Sequence, residues 1–180
     1  MAVPIDSHDE REAAFVRLAE ERLDGSYRVA YALLGDRAAA EDATHDALVR
    51  AWSAFPRLRD PGAFDGWFRR ILVNACRDIR QDRRARPSEP LEAALPVVGR
   101  DPDPAIAWAE RDALLRAIRL LRPEHREVVV LRYVADLPLA EVGTTLGLPL
   151  GTVKSRLHHA LTYLRAEYDA AARPGREVPR

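Results

Sequence analysis

Six polar side chains near the C-terminal end are of the types that bind DNA base edges and phosphates: Thr152, Lys154, Ser155, Arg156, His158 and His159. Four apolar residues are interleaved with them at helical spacing: Val153, Leu157, Leu161 and Leu164. With the apolar residues turned inward, the polar six lie on or near the outer face, and Thr152 is placed to cap the helix. Such a face reads base edges in the major groove. The same spacing also fits an ordinary helix with a solvated polar face.

A shorter helix is expected immediately before this one. Leu139, Val142 and Leu146 are spaced along one helical face, and Gly147 and Pro149 then interrupt the pattern. Two helices joined by a tight turn form a helix-turn-helix unit, whose second helix enters the major groove of DNA. The C-terminal part of the chain is therefore predicted to bind DNA.

A second group of side chains suited to nucleic acid lies on an earlier helix, from about residue 63 to residue 84. Its apolar face is expected to bury Phe64, Phe68, Ile71, Leu72, Ala75 and Ile79. This leaves one line of exposed residues: Trp67, Arg70, Asn74, Arg77 and Gln81. In melted DNA, splayed bases stack on an aromatic ring, phosphates attract guanidinium groups, and amides bind base edges. The alternative is that Trp67 belongs to the core and the arginines only solubilise the helix.

A third pattern lies on the helix spanning residues 39–55, which carries two stripes. The apolar stripe comprises Ala43, Ala47, Leu48, Ala51, Trp52 and Phe55, and the second stripe comprises Asp42, His45, Asp46 and Val49. An exposed valine flanked by carboxylates suits a basic helix or coiled coil of a protein partner, although a solvated face fits equally well. The two aspartates and the histidine could also ligate a nuclease metal, but no further cluster completes such a site. We therefore predict no catalytic residue, no metal site and no cofactor.

Charge is unevenly distributed along the chain. The 28 basic and 28 acidic residues cancel, which excludes a globally basic nucleic-acid binder. Residues 61–86 hold seven arginines against three acids, 87–112 two against six, and 151–180 six basic residues against three acids. Two basic blocks separated by an acidic one predict two DNA-facing surfaces. The single cysteine, Cys76, and the lack of an apolar run near ~20 residues indicate a cytoplasmic protein without membrane insertion.

The chain is predicted to be all-α, with two small helical domains joined by a proline-rich linker, the C-terminal domain containing the helix-turn-helix. Five prolines with little periodicity mark residues 87–106 as the linker. The domains then span 10–86 and 107–168, and residues 169–180 form a disordered tail. The apolar run Val128–Leu131 is assigned to a buried helix because good helix formers flank it.

Taken together, these segments resemble the sigma-70 superfamily of bacterial RNA polymerase initiation factors, in its small two-domain extracytoplasmic-function (ECF) group. The similarity covers roughly residues 12–168. The family's core-polymerase-binding segment is similar to GDRAAAEDATHDALVRAW at Gly35–Trp52, and its promoter-melting and −10-reading helix to WFRRILVNACRDIRQDRRAR at Trp67–Arg86. Its −35-reading domain is similar to Leu121–Leu161, which contains the string GTVKSRL.

The resemblance implies that residues 10–86 form sigma region 2 and residues 107–168 form sigma region 4. Region 2 would bind core polymerase and recognise and melt the −10 element, and region 4 would read the −35 element. A protein of this kind directs transcription initiation at specific promoters and is not an enzyme. Its implied partners are core RNA polymerase, promoter DNA and, by family habit, an anti-sigma factor that restrains it.

The resemblance also implies roles for individual residues. Contacts with the clamp coiled coil of the largest polymerase subunit fall to Asp42, Asp46, Val49 and Arg50. The loop Arg59–Gly66 would take up a flipped non-template base. The −10 and melting residues are Trp67, Arg70, Asn74, Arg77, Arg80, Arg83 and Arg84, the last three on phosphates. The −35 residues are the six polar residues of the predicted recognition helix.

The chain departs from the family pattern in three places. His45-Asp46 stand where a Gln-Glu pair is usual, Leu139 and Ala140 stand where polar residues are frequent, and His159 stands where arginine is common. Histidine is mostly neutral at pH 7, so a DNA contact by His159 would depend on pH.

The main alternative function is a conventional helix-turn-helix regulator of the LuxR type, which does not act through core polymerase and also favours a GTVK-like recognition helix. A receiver domain in such a regulator would need alternating parallel strands and helices. The N-terminal half instead reads as helical, which favours the sigma-like function.

Overall fold

The computed structural model describes residues 8–85 and 114–171, where every regular element is a helix. In chain order the helices are α1 (His8–Leu34), α2 (Arg37–Ala54), α3 (Phe64–Ala85), α4 (described over 114–120), α5 (Pro123–Tyr133), α6 (Leu139–Leu146) and α7 (Leu150–Ala171). The all-α prediction is confirmed. The predicted linker 87–106 lies outside the described residues. Helix α7 includes the first three residues of the predicted disordered tail, and the rest of the tail is not among the described residues.

Helices α1, α2 and α3 pack against one another in the N-terminal half. Gly35 takes a left-handed φ of 73° and donates its N–H to the carbonyl of Tyr31 at 2.8 Å, which closes α1. Asp36 then caps α2, because its carboxylate accepts a hydrogen bond from the N–H of Ala39 at 2.7 Å. This two-residue connection folds α2 back onto α1 as a helical hairpin.

The inward face of α2 is made mainly of alanine. Its five fully buried alanines, each 0% exposed, are Ala39, Ala40, Ala43, Ala47 and Ala51. Thr44 is the other buried residue of α2, and because all six buried side chains are small, the backbone of α2 can approach its neighbours closely. The position of α2 is therefore set by close contacts between its backbone and the neighbouring helices.

An aromatic cluster fixes the start of α3. The ring of Phe15 packs edge-on against Phe55 and Phe64, at centroid distances of 5.3 and 6.1 Å, and Phe64 stacks on Phe68 at 5.5 Å. Phe55 begins a short 3₁₀ turn, and a second turn at Pro61–Ala63 leads directly into α3. Edge-to-face aromatic pairs stabilise beyond the area they bury. The loop between α2 and α3 is thus anchored at both ends.

The C-terminal half contains the predicted helix-turn-helix in α6 and α7. Gly147 ends α6 with a left-handed φ of 69°, and the N–H of Leu148 donates to the carbonyl of Gly143 at 2.9 Å. A Cβ on Gly143 would lie 2.8 Å from the backbone oxygen of Leu148, so the turn requires glycine there. In α5, the run Val128–Leu131 is buried, which confirms the predicted buried helix.

Two local predictions for α7 are wrong. Leu161 is 40% exposed, whereas Ala160 is fully buried, because the packed side of the helix follows Val153, Leu157 and Ala160. Thr152 is not a cap, because α7 begins at Leu150 and Thr152 lies inside its first turn. In α3, the predicted core positions Ile71 and Ile79 are only half-buried, while the other four are buried.

The two halves pack against each other. Helix α1 contacts α5 and helix α3 contacts α6, and the buried residues of both halves form one continuous core. The two predicted domains are therefore in contact in this structure.

Candidate nucleic-acid interface

The polar side chains of α7 lie together on its outer part. Lys154, Ser155, His158 and His159 are exposed, whereas Thr152 and Arg156 are half-buried. Val153 on the opposite side is fully buried and holds α7 against the rest of the helix-turn-helix. One helical surface therefore presents a lysine, an arginine, two hydroxyls and two imidazoles, a set that can bind base edges and phosphates.

A third histidine, missed from the sequence, joins this surface. The ring of His125, on α5, stacks on His159 with centroids 6.1 Å apart, and the rings of His158 and His159 are 5.8 Å apart. The contact depends on how α5 packs against α7, so no local spacing could have indicated it. Among the described residues, no group of three or more His, Cys, Asp or Glu side chains is arranged to hold a metal ion.

The face of α3 that is predicted to bind melted DNA is partly buried at the N-terminal end of the helix. The ring of Trp67 lies against Phe64 with centroids 5.8 Å apart and contacts the core, so the alternative in which Trp67 packs inward is partly correct. Arg70, Asn74 and Gln81 are exposed, and Arg77 is half-buried.

Most of the predicted DNA-binding arginines on α3 are engaged by other protein groups. Arg70 donates to the carbonyl of Thr144 in α6 at 2.8 Å, and Arg83 is ion-paired with Asp36 at 2.8 Å. Arg84 is exposed. The remaining two, Arg77 and Arg80, meet one carboxylate of the C-terminal half.

That carboxylate belongs to Glu127, a residue that sequence reasoning missed. Arg77 donates to it through Nε at 3.0 Å and through Nη2 at 2.6 Å, and Arg80 donates through Nη2 at 3.2 Å. Its side chain is only 4% exposed. The one sequence signal was its position, because Glu127 lies four residues before the buried Leu131 and so on the same helical face.

Arg77 and Arg80 keep the carboxylate of Glu127 ionised. Burial by itself would raise the pKa of this carboxyl group, but the hydrogen bonds and positive charges of Arg77 and Arg80 outweigh burial and lower the pKa. The same contact raises the pKa of Arg77. Both members of the bidentate pair are therefore ionised at neutral pH.

The predicted polymerase-facing stripe on α2 lies at the surface. Asp42 and Arg50 are exposed, Asp46 is half-buried, and Val49 is 50% exposed. Arg50 pairs with Asp46 at 2.7 Å and with Asp78 of α3 at 2.6 Å, so it joins the two helices. The stripe thus presents an apolar side chain beside carboxylates, on a helix whose opposite face is buried.

The loop before α3 is exposed, and a hydrogen bond within the loop holds its turn. Asp60 accepts a hydrogen bond from the N–H of Gly62 at 2.9 Å, which holds the turn Pro61–Ala63. Arg59, Asp60, Gly62 and Ala63 are all exposed. The loop therefore offers an accessible surface next to Trp67.

Comparison with known families matches both halves of the chain. A family model described as "Sigma-70 region 2" matches residues 18–86, and one described as "Sigma-70, region 4" matches residues 117–166. The first range includes α2 and α3, and the second includes the helix-turn-helix. No helix in the described ranges 8–85 and 114–171 is long and apolar enough to cross a membrane.

Curated proteins that are similar to the chain are also named as RNA polymerase sigma factors. The RNA polymerase sigma-E factor of Streptomyces antibioticus is 31% identical over 168 residues, which cover 92% of this chain and 91% of the relative. The ECF RNA polymerase sigma factor SigE of Mycolicibacterium smegmatis is 36% identical over 152 residues, which cover 82% of this chain and 59% of that longer relative.

Solved structures share the arrangement of helices. The structure of CnrH in complex with the cytosolic domain of CnrY matches with a TM-score of 0.67 and 26% identity, over 88% of this chain and 90% of that chain. The sigma factor RpoE of Bartonella quintana, in complex with the anti-sigma factor NepR, matches with a TM-score of 0.70 and 20% identity, over 86% and 96%. The chain therefore belongs to the sigma-70 family of RNA polymerase sigma factors, in its extracytoplasmic-function group.

Proposed function

We propose that this protein binds core RNA polymerase and directs it to promoters that carry a −10 and a −35 element. The observation that carries the proposal is the presence on one chain of two different DNA-suited surfaces. These are the arginine-bearing face of α3, within the region 2 match, and the polar face of α7, within the region 4 match. We take residues 10–86 and 107–168 as the two functional domains, joined by the linker 87–106.

Helix α7 would read the −35 element from the major groove. Lys154, Ser155, His158 and His159 are exposed on it, and Arg156 and Thr152 flank them. Lysine and arginine suit guanine edges and phosphates, whereas serine and threonine bind either bases or phosphates. The buried Val153 supports this face from behind.

Helix α3 and the loop before it would recognise and melt the −10 element. Trp67, half-buried on Phe64, follows directly on the segment Arg59–Gly66, whose exposed residues before α3 would accommodate a flipped base. Asn74 supplies an amide for a base edge. The arginines along the helix would hold the phosphates of the melted strand: Arg70, Arg77, Arg80, Arg83 and Arg84.

The outer stripe of α2 would contact core polymerase. Val49 is an exposed apolar anchor, and Asp42 and Asp46 supply negative charge for a basic partner. Arg50 is held by Asp46 and Asp78, so it fixes the spacing of the acidic groups. No covalent chemistry is part of this function. The protein would act in the cytoplasm, restrained by an anti-sigma factor.

Run-off transcription with purified core polymerase, with and without the protein, tests this function on a genomic promoter library. Discrete new transcripts whose promoters share two spaced elements are the expected result. If no transcripts form and the protein alone binds specific duplex DNA, a LuxR-type regulator replaces the proposal. A library lacking one of the two elements is the matched control, because loss of either element should abolish the signal.

A further inference from the structure

Three of the five histidines of the chain meet where α5 packs against α7, and we call them the histidine cluster: His125, His158 and His159. The rings of His125 and His159 are stacked, with 18° between their planes and 6.1 Å between their centroids. The ring of His158 meets that of His159 edge-on, at 67° and 5.8 Å. The ring of His159 is therefore in contact with two other imidazoles.

The ring nitrogens of the histidine cluster are available to a ligand. Among residues 8–85 and 114–171, none of the three imidazoles hydrogen-bonds to or ion-pairs with another protein group. His158 and His159 are exposed, and His125 is half-buried near the start of α5. A protonated imidazole presents two N–H donors, and both suit phosphate oxygens. The cluster can therefore bind an anion without first breaking an ion pair within the protein.

Charged residues lie on each helix that packs around the cluster. They are Lys154 and Arg156 on α7, Arg122 and Glu124 beside His125 at the start of α5, and Glu141, the one charged residue of α6. Arg126 and Glu127, also on α5, are engaged with the N-terminal half. Tyr163, four residues after His159, stays neutral between pH 6 and pH 8, because desolvation and Glu167 raise its pKa. A phosphate drawn in by the cations would favour the protonated form of a nearby imidazole.

Stacking on His125 restricts the orientation of the His159 ring. An exposed histidine side chain otherwise samples several rotamers, and a DNA contact must select one of them at a cost in entropy. His125 lies one helical turn before Val128 and Val129, which are buried in the core, so its ring projects from a firmly packed helix. A ring that is already oriented loses less entropy on binding. His125 can thus prepare His159 for a DNA contact, although it lies outside the helix-turn-helix.

We propose that His125 is a positioning residue for the −35 contact, and that the His159 it orients takes up a proton when it binds a DNA phosphate. The proton comes from solvent and adds to the unprotonated ring nitrogen of His159, and no other bond forms or breaks. Because the DNA-bound protein holds one proton more than the unbound protein, affinity for the −35 element rises as the pH falls. This inference rests on the proposed function, because α7 must be the −35-reading surface.

The coupling to pH is tested with the holoenzyme that the protein forms with core polymerase. Its equilibrium binding to a labelled promoter duplex from the run-off library is measured between pH 8 and pH 6. Uptake of one proton should make wild-type affinity about tenfold higher at pH 6 than at pH 8. His159→Gln cannot be protonated, so it should lose this rise and bind within about twofold of wild type at pH 8. Comparison with this variant removes pH effects that arise in core polymerase.

The matched control is His8→Gln, at the first residue of α1, which should keep the full rise in affinity. A rise that persists in His159→Gln would overturn the proposal.

Two substitutions of His125 test the positioning role. His125→Ala removes the stacked ring and should reduce the rise to about threefold or less, whereas His125→Phe supplies a flat ring and should regain most of it. Thermal unfolding by circular dichroism checks that both variants fold. A full rise in His125→Ala, an equal loss of affinity at every pH, or no recovery in His125→Phe would overturn the positioning role.

The outcomes also separate this inference from the proposed function. If the wild-type protein yields no run-off transcripts, the proposed function fails and this inference fails with it. If transcripts form but binding has the same pH dependence in wild type and His159→Gln, only this inference fails.

Discussion

Arg119 of α4 lies over the ring of Tyr31 of α1, with 5.3 Å between its guanidinium carbon and the ring centroid, and it also donates to the tyrosine hydroxyl at 2.9 Å. One arginine thus makes a cation–π contact and a hydrogen bond to the same residue of the other half. Gly35 lies against the side chain of Arg119, so that a Cβ on this glycine would lie 2.8 Å from Nε. The left-handed turn after α1 therefore leaves the space that Arg119 occupies.

Arg119→Gln should weaken the contact between the halves by about 1–2 kcal/mol, because it removes both the cation–π contact and a hydrogen bond from a charged donor. Tyr31→Phe, which keeps the ring and removes the hydroxyl, should lose about half as much. Denaturant unfolding monitored by tryptophan fluorescence measures both changes. Equal losses in the two variants would show that the ring contributes nothing.

Gly143→Ala should destabilise the helix-turn-helix by roughly 2 kcal/mol or more, because its Cβ would approach the backbone oxygen of Leu148 to 2.8 Å and a carbonyl in a tight turn cannot move aside cheaply. Gly151→Ala is the matched control: nothing lies within 4 Å of its Cβ, and it is in a helix. That control should stabilise the protein by up to about 1 kcal/mol. Thermal unfolding by circular dichroism compares them, and a stable Gly143→Ala protein would contradict the turn geometry.

The contact between the two halves should weaken as the pH falls below about 4.5, because Glu127 of α5 is ion-paired with Arg77 and Arg80 of α3. The pKa of Glu127 is lowered in the folded protein from its ordinary value of 4.5, so its contribution to stability is complete above that value. The contribution is lost as the pH falls through the lower pKa of the folded state. The radius of gyration of wild type measured between pH 7 and pH 3 should therefore rise at the acidic end. Asp36 also has a lowered pKa, set mainly by the N–H of Ala39, so Glu127→Gln serves to isolate the part due to Glu127.

Cys76 should resist thiol reagents in the native protein. Its side chain is 1% exposed, and burial raises its pKa to about 12, so thiolate is scarce at pH 8. Arg80 and Glu127 lie close enough for their charges to act on the thiol. Reaction with a chromogenic disulfide should be slow for wild type and complete within the mixing time in denaturant. Fast reaction of the folded wild type would contradict the burial of this residue.

Arg156→Ala should weaken binding of a −35 duplex by about 1–3 kcal/mol and relax sequence preference, if Arg156 contacts a base edge. Arg165→Ala, an exposed arginine farther along α7, is the control and should change affinity little. Affinities measured at several salt concentrations distinguish a phosphate contact, which would lower the salt slope by about one, from a base contact. An unchanged footprint over the −35 element would remove Arg156 from the interface.

The helices that pack through regular apolar spacing were predictable from the sequence, and the contacts between the halves were not. The buried run Val128–Leu131 and the break at Gly147 are local signals, so α5 and the turn before α7 were located correctly. Leu161 was wrongly predicted to face inward, because the small Ala160, one residue earlier, occupies the packed side of the helix. Small residues give weak periodicity signals even where they are completely buried.

Glu127 shows why the remaining part of the site was missed. Its ion pairs with Arg77 and Arg80 join residues about fifty positions apart, across the segment 86–113. No periodicity within one helix encodes such a pairing, since it depends on how two helical units meet. The six polar residues of α7, by contrast, share one helix, and their common face follows from helical geometry alone. Their roles on DNA remain predictions.

The alanine face of α2 has a consequence for how the protein changes over evolutionary time. Alanine has no side-chain rotamers to restrict, so packing the five buried alanines loses almost no side-chain entropy, and a larger residue at any of these five positions would force the helices apart. The inner face can therefore vary very little. The outer stripe of Asp42, Asp46 and Val49 contributes little to that packing, and substitutions there can alter what α2 binds without disturbing the fold. Packing thus constrains the residues on the inner side of α2, whereas the residues on its outer side are free to change with the binding partner.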